Sequence, residues 1–195
     1  MKLFLLIVLA FIIGSIPFGV IIARLKGVDL KRVGSGNIGA TNVLRTMGKG
    51  PAILTLAGDV LKGTVSVALG RYFLSDPTLA GIAGLASVLG HNFSVFLGFK
   101  GGKGVATSIG VLLLFSPKVA MVTVALWLTV IVITRYSSLG ALVSFGLLPL
   151  SIYFMDYSRG KLIISLLMSG LLIVRHTDNI ERLIHGKETK VGKRS

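Results

Sequence analysis

The sequence predicts an all-α integral membrane protein: a bundle of about seven short transmembrane helices, N-terminus outside and C-terminus cytoplasmic. Three observations carry this reading. The 195-residue chain is 53% hydrophobic and only 14% charged, with mean hydropathy +0.86, a composition suited to lipid contact. Its apolar stretches are separated by short polar segments, and its basic residues crowd into alternate ones. The net charge of +14 could suit a nucleic-acid binder. Such a protein spreads its lysines over a solvated surface, whereas here they lie between apolar runs, so no nucleic-acid partner is expected. The absence of cysteine excludes disulfides and thiolate chemistry.

The first span runs from Leu3 to Ala23. It is long and lacks a small-x-small cleavage site, so it reads as a retained helix and not a signal peptide. Pro17 kinks it near its inner end, leaving a freed carbonyl in need of a neighbour. Arg24 to Gly50 is polar and basic, and its centre packs Gly34, Ser35, Gly36, Asn37, Gly39, Thr41 and Asn42 ahead of Arg45. A short helix from Ala40 puts Thr41 and Arg45 on one face at i, i+4, so that hydroxyl and guanidinium converge on one ligand.

Pro51 opens the second span, to about Phe73, which carries Asp59 and Lys62. Charges inside a membrane are costly unless paired, and i, i+3 spacing lets these two face each other or a polar interior, as a structural pair or a catalytic one. The turn Ser75–Pro77 leads into a third span, Leu79 to Leu97, with His91, Asn92 and Ser94 in its second half. His91 reads as a packed, hydrogen-bonded histidine. The loop FKGGKGVAT, Phe99 to Thr107, carries Gly101, Gly102 and Gly104 with Lys100 and Lys103. Glycine lets backbone N–H groups approach a ligand, and a helix starting just after turns its dipole to the same anion. The loop therefore reads as a phosphate cradle; taken alone it would serve equally as a turn marked by cytoplasmic lysines.

Ser108 to Phe115 makes a short fourth helix, Val119 to Thr134 a fifth, Leu139 to Met155 a sixth and Leu162 to Val174 a short seventh. In the tail, Asp178 and Glu181 have capping-box spacing, while His176 and Asn179 beside them have no capping duty. With the N-terminus outside, 15 of the 21 basic residues fall on inner segments, the tail contributing Lys193 and Arg194 among others. The polar stretches therefore share the cytoplasmic face. There they offer one anion site of Ser35, Asn37, Thr41 and Arg45, of Lys100 and Lys103 with backbone donors, and of His176 and Asn179 with Arg175 nearby. No metal is expected, because His91, His176 and His185 are too scattered. The lysine of GFKGGKGV is followed by Gly104 instead of a magnesium-holding Ser or Thr, so this is not a Walker loop.

GSIPFG from Gly14, GSGNIGATNVLR, DVLKG at Asp59, GHNFSVFLGFKGGKGVAT and VRHTDNIERL, in this order and spacing, resemble the bacterial acyl-phosphate glycerol-3-phosphate acyltransferase family, PlsY. The resemblance implies a single transmembrane acyltransferase domain over residues 1–195, in the bacterial inner membrane. It implies transfer of an acyl group from acyl phosphate to the sn-1 hydroxyl of glycerol 3-phosphate, giving lysophosphatidic acid and phosphate without a cofactor. The other glycerol-3-phosphate acyltransferase class uses H-x-x-x-x-D; here Phe96 stands at that spacing from His91 and Glu181 from His176.

On this resemblance His176, Asn179, Lys103 and Arg45 are the expected catalytic residues. Ser35, Asn37, Thr41, Asn92, Gly101, Gly102, Gly104, Thr107 and Glu181 join them in binding substrate. The glycine amides would face the donor phosphate, and Glu181 would brace His176 and Asn179. Either His176 or the departing phosphate takes the hydroxyl proton. A transporter of an anionic substrate and a structural subunit are the other classes compatible with these features.

Overall fold

The computed structural model describes residues 1–192; Lys193 and Arg194, counted above with the basic tail, lie outside them. Eleven α-helices, and no strand, form among the described residues. The first apolar run is split into α1 (Lys2–Ser15) and α2 (Phe18–Leu25) around Pro17, whose ring cannot continue the helical hydrogen bonds. The carbonyls opened there find neighbours: Ser94 Oγ donates to Ser15 O at 2.6 Å and Lys62 Nζ to Ile16 O at 3.1 Å. After the polar segment come α3 (Ala40–Met47), α4 (Lys49–Phe73) and α5 (Pro77–Asn92). Asp76 caps α5 by accepting the N–H groups of Thr78 and Leu79, with Pro77 in the first turn where a missing N–H costs nothing.

The remaining apolar segments are α6 (Val105–Phe115), α7 (Pro117–Thr134), α8 (Ser137–Gly146), α9 (Leu148–Met155) and α10 (Arg159–Arg175). A short amphipathic helix, α11 (Thr177–Ile184), follows. Four stretches, the first of them α1 and α2 taken together, are long and apolar enough to cross a membrane, and the bent pairs α8–α9 and α10–α11 raise the number to six. The expected fourth helix, α6, has 11 residues and so spans only about 16 Å of a hydrocarbon layer about 30 Å thick. The expected sixth span is bent by 40° between α8 and α9, where Pro149 opens α9. The chain turns by 59° from α10 into α11. His176 is the N-cap residue of α11 and no side chain caps it, so Asp178 and Glu181 sit two positions too far inside the helix to form the expected capping box.

Small residues let the helices touch. A Cβ on Gly14 would strike the backbone of Ser87, and one on Gly90 the carbonyl of Phe11, so α1 and α5 pack backbone to backbone. Gly63 and Gly110 do the same between α4 and α6. Such close approach lets dispersion forces hold helices together in lipid, where apolar burial offers little. The main core joins α4 to α10 through Val67, Val111, Leu112, Phe145, Ile152 and Leu172, all buried. Large apolar side chains such as Phe4, Leu54, Leu61, Met121, Val132 and Ile133 face outward, as a lipid-facing surface requires.

Candidate functional site

The polar segments meet at one end of the bundle around a cavity of about 320 Å³. The loop before α3 is shaped by Asn42, which is buried. Its Oδ1 accepts the N–H of Ser35 at 2.9 Å, and its Nδ2 donates to the carbonyls of Leu30, Val33 and Asn37 at 3.4, 3.2 and 2.8 Å. One side chain thus replaces the backbone ladder that an irregular segment lacks. It leaves Ser35 and Asn37 lining the cavity.

Thr41 and Arg45 lie one turn apart on α3 and both line the cavity. Thr41 Oγ1 is 3.3 Å from Ser137 Oγ. Arg45 Nη2 donates to Thr189 O at 2.7 Å, while its buried Nε has no hydrogen-bond partner among the described residues. A buried guanidinium N–H without an acceptor is costly, and an anion in the cavity is the chemistry that would relieve it.

The glycine loop folds back on the end of α5. Gly101 N–H donates to Asn92 O at 3.1 Å and Gly102 N–H to His91 O at 2.9 Å. From the other side Arg175 donates to the carbonyls of Gly101 and Gly102 at 3.0 to 3.3 Å, its guanidinium lying over the Phe93 ring. The amides of Gly101 and Gly102, expected to face a phosphate, are thus taken by the protein, and neither residue lines the cavity. Lys103, Gly104, Val105 and Ala106 do. Gly104 has φ +84° and is the N-cap position of α6, whose first-turn N–H groups have no intrahelical acceptor. Asn92 and Thr107 lie fully buried off the cavity. Both side-chain polar atoms of Asn92, and Thr107 Oγ1, lack hydrogen-bond partners among the described residues.

Lys103 reaches across to donate to Asn179 Oδ1. Burial, helped by Arg182 and Arg175, pulls its pKa down to about 8 against the opposing charges of Glu188 and Asp178. His176 sits between α10 and α11 with Nδ1 2.8 Å from Leu172 O. A carbonyl only accepts, so Nδ1 carries the proton and a neutral ring leaves Nε2 as an acceptor. Burial, reinforced by Lys103 and Arg175, holds His176 at about 4 despite the Leu172 carbonyl and Glu188.

Glu181 is exposed and away from the cavity. The carboxylate that braces this corner is Glu188, absent from the sequence expectations. It accepts from Asn179 Nδ2, Ser138 Oγ and Arg182 Nε, each at 2.8 Å. Burial pushes the Glu188 carboxyl up, but these hydrogen bonds outweigh it and hold the pKa below the usual range. Its signal in the sequence is that it is the only acid after His185 in a basic tail. Ser137, Ser138 and Trp127 also line the cavity with no motif to announce them. The floor is formed by Asp59 and His91, and an apolar wall by Leu44, Ile53, Leu56 and Ile109. Ile53 and Leu56 are also exposed on the outside of the bundle, so the wall continues to the lipid-facing surface.

A helical membrane bundle with cations and small polar groups at one end of a cavity, and an apolar wall leading outward, defines a membrane protein for a ligand with an anionic head and an apolar chain. The family can be stated more closely. The chain belongs to the glycerol-3-phosphate acyltransferase family, whose model matches residues 4–186. It is 46% identical over 185 residues to a glycerol-3-phosphate acyltransferase of Sinorhizobium fredii, covering 94% of this chain and 90% of that one. Its fold matches the crystal structure of PlsY (YgiH), an integral membrane glycerol 3-phosphate acyltransferase, in the glycerol 3-phosphate form. The TM-score is 0.94 with 42% identity over 98% of this chain and 96% of that chain. For the lysophosphatidic acid form the TM-score is 0.91 with 41% identity, over 97% and 95%.

Proposed function

We propose that this protein transfers a fatty acyl group from acyl phosphate to the sn-1 hydroxyl of glycerol 3-phosphate, at the cytoplasmic face of the bacterial inner membrane. The observation that carries the proposal is the meeting of Arg45 and Lys103, from separate elements, in one cavity whose other wall is apolar and reaches the lipid face. Two anionic substrates must come together there, and fixed cations in a partly dry site lower their mutual repulsion. The unpartnered Nε of Arg45 is suited to one phosphate and the Lys103 ammonium to the other. Ser35, Asn37 and Thr41 add neutral contacts.

In the transfer step the sn-1 hydroxyl oxygen attacks the acyl carbonyl carbon. The new ester C–O bond forms as the bond to the phosphate oxygen breaks, and the hydroxyl proton passes to the departing phosphate. His176 accepts a hydrogen bond from the glycerol through Nε2, with Asn179 beside it. A histidine held at about 4 is a weak proton acceptor at neutral pH, which favours the phosphate as base. The first-turn N–H groups of α6 stand where the developing oxyanion needs donors, in place of the glycine amides. Asn92 and Thr107 support the loop from behind, and Glu188 fills the bracing role expected of Glu181. The cytoplasmic orientation rests on the excess of lysine and arginine around the cavity end.

The test is an assay of the purified protein with glycerol 3-phosphate and either acyl phosphate or acyl-CoA, following lysophosphatidic acid and released phosphate. Product from acyl phosphate alone is expected. Product from acyl-CoA instead would overturn the donor, and no product from folded protein would overturn the enzyme.

A further inference from the structure

Asp59 and His91 in the cavity floor, and Lys62 in contact with both, have no part in the transfer step. Lys62 on α4 points its Nζ at Asp59 Oδ1 (2.8 Å), His91 Nδ1 (2.7 Å) and Ile16 O (3.1 Å), and all three side chains are buried. An ammonium has protons and no lone pair, so at 2.7 Å His91 Nδ1 can only accept from it, as Ile16 O does, while Asp59 Oδ1 answers its charge as an ion pair. A neutral His91 then carries its proton on Nε2. That edge of the ring lies against the glycine loop: a Cβ at Gly102 would collide with Nε2 and come within 2.9 and 3.0 Å of Cε1 and Cδ2. The same histidine accepts the Gly102 N–H through its backbone carbonyl at 2.9 Å. The loop is therefore seated on His91 twice, by ring and by backbone, and the next residue is Lys103.

We propose that Asp59, Lys62 and His91 are positioning residues, holding the His91 ring in its Nε2–H form as the seat of the glycine loop and so setting Lys103 over the cavity. Lys62 extends the same tie to the break before Pro17, joining α1, α4 and α5 beneath the loop. The fit is one-sided, because residue 102 can only be glycine while the ring is there. The kinetic consequence rests on the reading of Lys103 as a substrate ligand; the placement of the ring does not.

The test has three parts on the full chain in lipid nanodiscs. Imidazole 15N spectra, assigned with His91→Asn, are expected to show His91 with its proton on Nε2; a proton on Nδ1 overturns the proposal. His91→Asn keeps an acceptor for Lys62 but removes the ring edge under Gly102. The amides of Gly101 and Gly102 are then expected to exchange about ten-fold faster, with those of α7 unchanged, and KM for glycerol 3-phosphate to rise about ten-fold with a smaller change in kcat. Asp59→Asn with Lys62→Met removes both charges together, so neither is left buried alone, and is expected to loosen the loop in the same way. Unchanged loop exchange in the folded His91→Asn variant overturns the proposal, whatever the double variant does. If the wild-type protein transfers no acyl group, the functional reading fails while the spectra and exchange still decide this one.

Discussion

Lys62 and the pair Arg45 and Lys103 show two ways of holding a cation in this bundle. Lys62 has a carboxylate, an imidazole and a carbonyl around it at 2.7 to 3.1 Å, so its charge is answered and its position fixed. Arg45 has one backbone carbonyl and an unpartnered Nε, and Lys103 has the neutral oxygen of Asn179. No carboxylate pairs directly with either among the described residues. The first arrangement is scaffold; the second leaves positive charge for an anion to answer. A buried cation short of acceptors is thus a better sign of a site than the number of cations nearby.

The largest effect should come from the residue whose demand is least met. Arg45→Ala is expected to lower kcat/KM by about 10³-fold, and Arg45→Lys to recover little of it because a point charge cannot replace a planar fork. Thermal unfolding of both should stay close to wild type. A large fall in Tm would instead make Arg45 scaffold of the Lys62 kind. Lys103→Met should cost about 10²-fold. Since Lys103 titrates near 8, it is charged below that pH and neutral above it. KM for glycerol 3-phosphate is therefore expected to rise as pH passes 8, and Lys103→Arg, whose guanidinium stays charged, should move that limb upward. A limb that does not move would show that Lys103 is not the titrating group.

Legibility in the sequence divides along the same line. The spanning segments were readable because each is a long, mainly apolar run, and Pro17 marked its own break. Asp59 and Lys62 were readable as a pair because helical spacing brings them together locally. The gathering of Ser35, Thr41, Arg45, Lys103 and His176 was legible through motif residues too polar for linkers. What could not be read depends on how distant segments dock. The backbone of Gly101 and Gly102 turns to His91, Asn92 and Arg175 only once α5 and α10 flank the loop. Glu188 reaches Asn179 only after the tail folds back past α11. The bend between α8 and α9 had a local cause in Pro149 and was missed because the run around it is apolar throughout.

A smaller effect is expected at His176. With Nε2 accepting from the glycerol hydroxyl and the departing phosphate taking the proton, His176→Ala should retain turnover, reduced about ten-fold, with a weaker hold on glycerol 3-phosphate. Loss of turnover with substrate binding intact would make the histidine the base. Its acid titration near 4, below the ordinary 6.5, also has a sign for stability. Between those values the unfolded chain holds more protons than the folded one, so stability falls as pH drops from 6.5 towards 4. His176→Asn should flatten that part of the curve in a denaturation series.

The smallest effects separate two glutamates that the sequence makes look alike. Glu181 faces outward on α11 and touches nothing in the cavity, so Glu181→Ala is expected to leave kcat/KM within about two-fold of wild type. Glu188→Gln keeps an oxygen for Ser138 or Asn179 but ends the ion pair with Arg182 and gives the amide two protons with no waiting acceptor. Asn179 then loses part of its anchor, and with it the acceptor that holds Lys103, so a several-fold rise in KM for glycerol 3-phosphate is expected. The two variants measured side by side make the comparison sharp. Equal effects would mean that the tail does not hold Asn179 in the working enzyme, and a larger effect at Glu181 would return the bracing role to the residue that the motif alone suggested.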